Sequence, residues 1–260
     1  MNLRKKEMRI VIITQNEPFY LADNLRFLIQ QLNSRHEIVG MIITKPSPFG
    51  KKESFLKKSS KTLRIFGLPF FLFYAFKYIH SILFRKSIYR LASEFEIPII
   101  KVTGSINSKT NLELIRSVQP DLLVSILGNQ IFKKPLIDLA KKGCVNLHTA
   151  LLPKYRGLMP TFWVLKNNEK YTGVSVFFVD EGIDSGPIIV QERVEIGNKT
   201  QVQLIKETKR IGMNLIVKSI DLIAKNELKL IENPDSEKSY FSFPTRKDVK
   251  VFKQIGKKFF

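Results

Sequence analysis

The sequence predicts a Rossmann-like α/β fold: a doubly wound, mostly parallel sheet with a helical insertion and a short C-terminal tail. Two observations lead to this prediction. Apolar, β-branched runs typical of buried strands alternate with segments of helical spacing. The alternation occurs both before and after an interrupting stretch at residues 45–97. With 260 residues, 44% of them hydrophobic, the chain is long enough to bury a substantial core.

The individual elements follow from the local pattern. The charged start leads into an apolar run at 9–14, which is too short for the core of a signal peptide and is typical of a buried strand. Apolar residues recur on one side of a helix predicted at 21–32, and a second strand is predicted at 37–44. By the same criteria we expect strands at 98–102, 121–127, 173–179 and 187–196, and helices at 111–118, 135–142 and 200–226.

The domain organisation is predicted to be simple. Residues 1–226 are expected to form one domain that carries the insertion at 45–97, with a basic tail at 227–260 packed on it. The single cysteine, Cys144, excludes an internal disulfide and favours a reducing compartment, so we expect a cytoplasmic protein.

The net charge of +20 has two interpretations. A lysine-rich proteome gives basic surfaces to many unrelated enzymes. Alternatively, the charge serves a polyanionic partner, either a nucleic acid such as tRNA or an anionic membrane surface. Charge alone does not separate these interpretations.

The insertion combines a polar, basic loop at 51–60 with twelve uncharged residues at 65–76, of which many are aromatic. Twelve residues are too few to span a bilayer. The run is interpreted as a helix packed on the domain or in a homodimer interface. A second interpretation is that residues 51–90 bind an anionic membrane surface, at the inner face of the membrane. A third is an aromatic platform for nucleic acid bases.

Polar residues at one strand end mark the candidate site. The strand ending near His148 places Asn146 and His148 on the same face, because side chains alternate along a strand. In a doubly wound sheet, ligands bind at the carboxyl ends of the strands. Asp184 lies in a glycine-flanked turn that can return to the same place. No metal-ligand spacing is present in the sequence, so no metal is expected.

These three residue types suit acyl transfer to an amine. Attack of an amine on a formyl carbon creates an oxyanion, to which Asn146 can donate. His148 can accept the proton that the amine loses and return it to the leaving group. A carboxylate at Asp184 can orient the imidazole and favour its charged form.

The stretch from 121 to 196 resembles the catalytic core of the folate-dependent formyltransferases. That family is marked by Asn-x-His, a Leu-Leu-Pro loop and a distant Asp before a glycine. Here the three motifs occur in that order, and 36 positions separate His148 from Asp184. The resemblance implies that 1–226 is the catalytic domain of an enzyme.

The resemblance further implies 10-formyltetrahydrofolate as the co-substrate, gripped by the backbone of two loops. The corresponding cofactor-binding residues here are Gly128, Gln130, Ile131, Phe132, Val179, Asp180 and Glu181. The segment Tyr155, Arg156 and Gly157 resembles the tRNA and sugar branches and is expected to contact the acceptor.

The acceptor predicted from these features is a small-molecule amine, an amino sugar carried on a nucleotide. The turn at 14–19 contains no glycine, which argues against the phosphate cradle of a ribonucleotide acceptor. Three alternatives stay open: activity like that of methionyl-tRNA formyltransferase, hydrolysis of formyltetrahydrofolate by water, and a non-catalytic module that binds membrane or nucleic acid.

Overall fold

The computed structural model describes residues 7–46, 53–84 and 87–260. Within these residues the chain forms eight strands and nine α-helices. The strands are β1 (Arg9–Gln15), β2 (Glu37–Thr44), β3 (Leu122–Ile126), β4 (Cys144–His148), β5 (Arg156–Gly157), β6 (Tyr171–Phe178), β7 (Ile188–Glu195) and β8 (Tyr240–Phe241). The helices are α1 (Leu21–Asn33), α2 (Phe55–Phe66), α3 (Leu68–Leu83), α4 (Ile88–Glu94), α5 (Lys109–Ser117), α6 (Lys134–Ile137), α7 (Pro160–Lys166), α8 (Gln201–Lys225) and α9 (Arg246–Gln254).

Six strands form the central sheet, in the order β2-β1-β3-β4-β6-β7. The first four are parallel to one another, whereas β6 pairs antiparallel with β4 and β7 pairs antiparallel with β6. The chain starts near the middle of the sheet, winds outwards to β2 and then returns to the other side of β1, which is a doubly wound arrangement. The predicted Rossmann-like, mostly parallel sheet is confirmed.

Both faces of the sheet are covered by helices. In β1, Ile10 and Ile12 pack with residues of α1 and α8, whereas Val11 and Ile13 pack with residues of α5 and α6. Successive side chains of a strand point to opposite faces, so a strand buried on both sides must be apolar throughout. The continuous apolar run in the sequence has this origin.

The strand predicted at 98–102 is wrong. This segment touches β2 at a single parallel bridge, between Met41 and Ile99, and then leaves the sheet. Pro98 has no N–H to donate to a ladder, and its carbonyl oxygen accepts from Met41 instead. The apolar character of the segment serves packing, since the Ile100 side chain fills the space beside Gly40.

The helix predicted at 135–142 is too long, because α6 ends at Ile137 in the structure. The following residues form tighter turns, in which Leu139 bonds to Leu136 and Gly143 bonds to Ala140. Gly143 has a φ of 85°, and this left-handed conformation turns the chain into β4.

The insertion forms a helical hairpin of α2 and α3. The loop predicted at 51–60 is wrong from Phe55 onwards, because α2 begins there and the Ser54 side chain caps it by accepting from the backbone N–H of Lys57. Residues 51 and 52 lie outside the described residues. Gly67, with a φ of 88°, ends α2 and separates it from α3. Among the described helices, none is long and apolar enough to cross a membrane.

The last thirty residues pack against the domain. Strand β8 pairs in parallel with β5, and α9 buries Val249 and Phe252. The Phe252 and Phe259 rings stack on each other, and both stack on Phe162 of α7. The same core includes Phe66 and Phe70 of the hairpin. A second hydrophobic core therefore joins the tail, α7 and the insertion.

Candidate active site

A cavity of about 650 Å³ opens where β1, β3 and β4 end. Its walls include Gln15 at the end of β1, Leu127 after β3 and Thr149 after β4. This is the edge of the sheet at which ligands bind in doubly wound folds. The side chains of Asn146, His148 and Asp184 also line this cavity. The structure thus brings together the three residues predicted to carry the chemistry.

The ring of His148 is held by a main-chain acceptor. Its Nε2 atom lies 2.7 Å from the carbonyl oxygen of Tyr155. A carbonyl oxygen only accepts, so Nε2 carries the hydrogen and Nδ1 of the neutral ring has a free lone pair. Nδ1 lies 3.6 Å from Oδ2 of Asp184. A proton taken up at Nδ1 during a reaction would therefore lie beside the Asp184 carboxylate.

Asp184 is held from two sides. Its Oδ2 atom accepts a hydrogen bond of 2.8 Å from the backbone N–H of Gly157. Its own carbonyl oxygen accepts a 2.9 Å bond from the side-chain amide of Asn233, which also donates to the carbonyl of Gly186. The carboxylate is thus fixed by the loop after β4 and by the C-terminal tail.

Both the backbone conformation and the close neighbours of position 157 require a glycine there. Its φ of 96° is in the region that favours glycine, and a methyl group there would lie 2.3 Å from the carbonyl oxygen of Phe241. Gly157 was predicted to contact the acceptor, and it does line the cavity. Its backbone N–H, however, already donates a hydrogen bond to the Asp184 carboxylate.

The two predicted folate loops reach the same cavity. Gly128, Gln130, Ile131, Phe132, Val179 and Asp180 line it. Glu181 does not, whereas the following Gly182 and Ile183 do. A side chain at position 128 would clash with the Ser125 hydroxyl, which lies 2.5 Å from where its Cβ would be. The Gln130 side chain is used within the fold, since its Oε1 accepts from the backbone N–H of Ile106.

Tyr155 and Arg156 are placed differently from the prediction, because neither lines the cavity. The Tyr155 hydroxyl donates to Glu169 at 2.6 Å, and burial together with this hydrogen bond raises the pKa of Tyr155 to about 12. Arg156 is buried and donates to Asp235 and Asn233 of the tail. Both side chains therefore hold the fold around the site, and their contact with the acceptor stays a prediction.

Part of the cavity wall was not foreseen from the sequence. Lys58, Lys61 and Thr62 of α2 and Tyr74 of α3 line the cavity, so the insertion forms one side of it. The Tyr74 hydroxyl lies 3.2 Å from that of Tyr20. The spacing of positions 58, 61 and 62 is that of one helical face and was the available signal.

Lys209 of α8 is a second unforeseen feature. The residue is 8% exposed and lines the cavity. No hydrogen bond or ion pair of its ammonium group is found among the described residues. Burial lowers the pKa of Lys209, and the nearby Glu17 carboxylate opposes this shift. Gln201, Ile205 and Met213 lie on the same face of α8 and also line the cavity.

The sheet topology and the position of the cavity define a Rossmann-like α/β protein with a cavity at the carboxyl edge of the sheet, where proteins of this class bind their ligands. A family model described as formyl transferase matches residues 8–220 of the chain. The chain therefore belongs to the folate-dependent formyltransferases, the family and the enzyme class that the motifs predicted.

The curated relatives include several methionyl-tRNA formyltransferases, two of which match nearly the whole chain. The protein from Kosmotoga olearia is 27% identical over 239 residues, which are 92% of this chain and 67% of that protein. The protein from Alkaliphilus oremlandii is 31% identical over 236 residues, or 90% of this chain and 66% of that protein. The chain thus spans about two thirds of the length of these relatives.

Among solved structures, the chain shares its fold with an N-formyltransferase from Helicobacter canadensis. That structure was determined in complex with folinic acid and dTDP-3-aminofucose. The two chains superpose with a TM-score of 0.57 at 20% identity, over 95% of this chain and 79% of the other.

Proposed function

We propose that the protein transfers a formyl group from 10-formyltetrahydrofolate to a primary amine. The observation that carries this proposal is the convergence of Asn146, His148 and Asp184 on one cavity of a formyltransferase fold. Residues 1–226 would form the catalytic domain, and 227–260 its supporting tail. A single free cysteine supports a reducing compartment, the cytoplasm.

Each side chain has a chemical role in the proposed reaction. The amine nitrogen forms a bond to the formyl carbon, and the carbonyl electron pair moves to the oxygen, which the Asn146 amide stabilises. The amine proton passes to Nδ1 of His148, beside the Asp184 carboxylate. The electron pair on the oxygen then re-forms the carbonyl, the bond between the formyl carbon and N10 of the folate breaks, and N10 receives the proton that His148 took from the amine.

The folate is proposed to lie between the loops at 128–132 and 179–183. Gly128 permits close approach of a ligand to the backbone. Ile131, which is half exposed, and the Phe132 ring supply apolar surface beside it. Glu181 belongs to the second of these loops but, unlike Asp180 and Gly182 beside it, does not line the cavity.

For the acceptor we propose an amino sugar linked to a nucleotide. Lys209 lines the cavity and makes no hydrogen bond or ion pair among the described residues, so its ammonium group can bind a phosphate group of the acceptor although the Glu17 carboxylate lies nearby. Lys58 lines the same cavity, whereas the ammonium group of Lys61 lies 3.6 Å from the Glu53 carboxylate, which also lines it. The neighbour solved with dTDP-3-aminofucose supports a sugar, whereas the curated relatives support a charged tRNA as the alternative.

The decisive experiment is incubation with 10-formyltetrahydrofolate and a panel of nucleotide-linked amino sugars, charged tRNAs and free amino sugars. A mass gain of one formyl group on one acceptor supports the proposal and identifies the acceptor class. Release of formate without any amine would indicate a hydrolase. Absence of both folate binding and formyl transfer would overturn the catalytic proposal and leave a binding module.

The role of Lys209 is tested separately. Lys209→Met should raise KM for a phosphate-bearing acceptor by roughly tenfold or more, the size of a lost charge-assisted hydrogen bond, without changing folate affinity. Lys206→Met is the matched control, because Lys206 lies on the exposed face of the same helix. Equal KM values in wild type and Lys209→Met would remove the phosphate contact from the proposal.

A further inference from the structure

The hairpin of α2 and α3 exposes an unusual amount of apolar surface. Within residues 53–84, ten Phe, Leu and Ile side chains are exposed, several of them by more than two thirds. Contiguous apolar patches on a folded surface mark sites of interaction. The ten residues are Phe55, Leu56, Leu63, Leu68, Leu72, Phe76, Ile79, Ile82, Leu83 and Phe84.

In α3 these side chains form one continuous face. Positions 68, 72, 76, 79 and 83 are separated by three or four residues, so they lie along one side of a helix. The opposite side is already occupied by the domain, because Phe70 packs on Phe66 and Phe259. The Phe73 ring stacks on Phe260. The exposed face of α3 therefore cannot fold back onto the core.

The charged residues around the exposed face of α3 indicate which kind of partner can bind there. Residues 54–93 contain eight lysines and arginines and no aspartate or glutamate. Lys57, Arg64 and Arg90 are exposed. A second copy of the chain docked through this face would bring two such basic segments together, and like charges oppose that contact. An anionic partner suits the segment.

Of the anionic partners, a lipid surface fits the side chains better than a nucleic acid. Seven of the ten exposed residues are Leu or Ile, which offer no ring on which bases can stack. Aliphatic and Phe side chains beside lysine and arginine are typical of helices that lie in the headgroup boundary of a bilayer. Basic residues near an anionic leaflet add to the binding.

We infer that the α2–α3 hairpin docks the protein on an anionic membrane surface, with α3 lying in the plane of the membrane. Helix α3 has 16 residues, fewer than the roughly 20 needed to cross a bilayer, so it lies on the surface. The inner side of the same hairpin lines the cavity through Lys58, Lys61 and Tyr74. Docking therefore places one wall of the cavity beside the lipid headgroups.

The test uses the full chain without folate or acceptor, so its result is independent of the proposed catalysis. Co-sedimentation is measured with vesicles of pure phosphatidylcholine and with vesicles that also contain phosphatidylglycerol. Binding is expected to the anionic vesicles at low salt and to decrease at high salt. No binding to anionic vesicles at low salt overturns the proposal.

The apolar contribution is tested with the triple variant Leu72→Ser, Phe76→Ser, Ile79→Ser. All three side chains are exposed, so the fold should be retained, which a thermal melt verifies. Binding to anionic vesicles should fall at least about tenfold, because each side chain loses its burial in lipid. The matched control replaces exposed apolar residues elsewhere, Phe27→Ser, Leu114→Ser and Ile255→Ser, and should bind like wild type.

Three results would contradict membrane docking through this face. One is equal vesicle binding by wild type and the triple variant at the hairpin. Another is a dimer, measured by sedimentation, that the triple variant abolishes while vesicles are not bound. The third is tight binding of RNA that the triple variant abolishes, again without vesicle binding.

Discussion

The side-chain amide of Asn233 donates a 2.9 Å hydrogen bond to the main-chain oxygen of Asp184. These residues are 49 positions apart, and the contact joins the C-terminal tail to the loop that carries the proposed catalytic carboxylate. The amide also bonds to Gly186, and its oxygen accepts from Arg156. We therefore predict that Asn233 is a positioning residue, which acts on the proposed reaction through Asp184.

Replacing Asn233 by Ala should lower kcat by roughly 10- to 100-fold, because small displacements of a reacting group are costly. KM for folate should change little, since Asn233 does not line the cavity. Steady-state kinetics measure kcat and KM separately and so test both expectations. Glu237→Ala, at an exposed position of the same tail, should behave like wild type. An Asn233→Ala enzyme with unchanged kcat would show that the tail is not needed to place Asp184.

The pair of His148 and Asp184 gives a stronger prediction. Either His148→Ala or Asp184→Asn should lower turnover by roughly two to four orders of magnitude, the range for losing general acid–base or electrostatic help. Single-turnover formyl transfer measures the chemical step directly. Asp138→Asn is the matched control, because that carboxylate is exposed just after α6 and pairs with Lys134. Near-normal transfer by Asp184→Asn would refute the assigned role.

Gly157→Ala is predicted to destabilise the fold. The φ of 96° strains any other residue by about 1–3 kcal/mol, and the added methyl group would clash with the Phe241 carbonyl. A lowered Tm in a thermal melt checks this. Gly104→Ala separates the two causes, because Gly104 also has a positive φ, of 69°, but a methyl group there meets nothing within 4 Å. If both variants melt at the same temperature, the clash is relieved by a local shift.

Cys144 should be unreactive in the native protein. Its side chain is buried at the start of β4, and burial raises the pKa of the Cys144 thiol, which suppresses the reactive thiolate. A colorimetric disulfide reagent near pH 8 should therefore label it slowly in the native protein and react with one thiol per chain after denaturation. Rapid stoichiometric labelling of the native protein would show that β4 opens readily.

The fold and the centre of the site could largely be predicted because their signals are local. Alternation along a strand places Asn146 and His148 on one face, and the parallel sheet follows from apolar runs between helices. The segment at 98–102 has the same apolar character, yet it leaves the sheet after one bridge. The apolar character of a segment predicts that it is buried. It does not predict which neighbouring strand or loop forms hydrogen bonds with that segment.

Side-chain direction in the loops could not be predicted. Tyr155 and Arg156 follow β4 after a short loop, and their sequence suggested contact with the acceptor. Their actual partners include Asp235 and Asn233, nearly eighty positions away, so only the folded tail decides that Arg156 is buried. The same holds for Lys209, whose place on the cavity wall depends on how α8 packs on the sheet.

The sequence by itself determined the family, the order of the strands and helices in the core, and the identity of the three proposed catalytic groups. Each of these was predicted from short-range periodicity or from the spacing of motifs. Both are properties of the sequence and do not depend on folding. Only the tertiary structure decided which residues surround those groups and that α2 and α3 wall the cavity while exposing an apolar face. Those features depend on contacts between residues distant in the chain, and packing energy selects such contacts only when the whole domain is assembled.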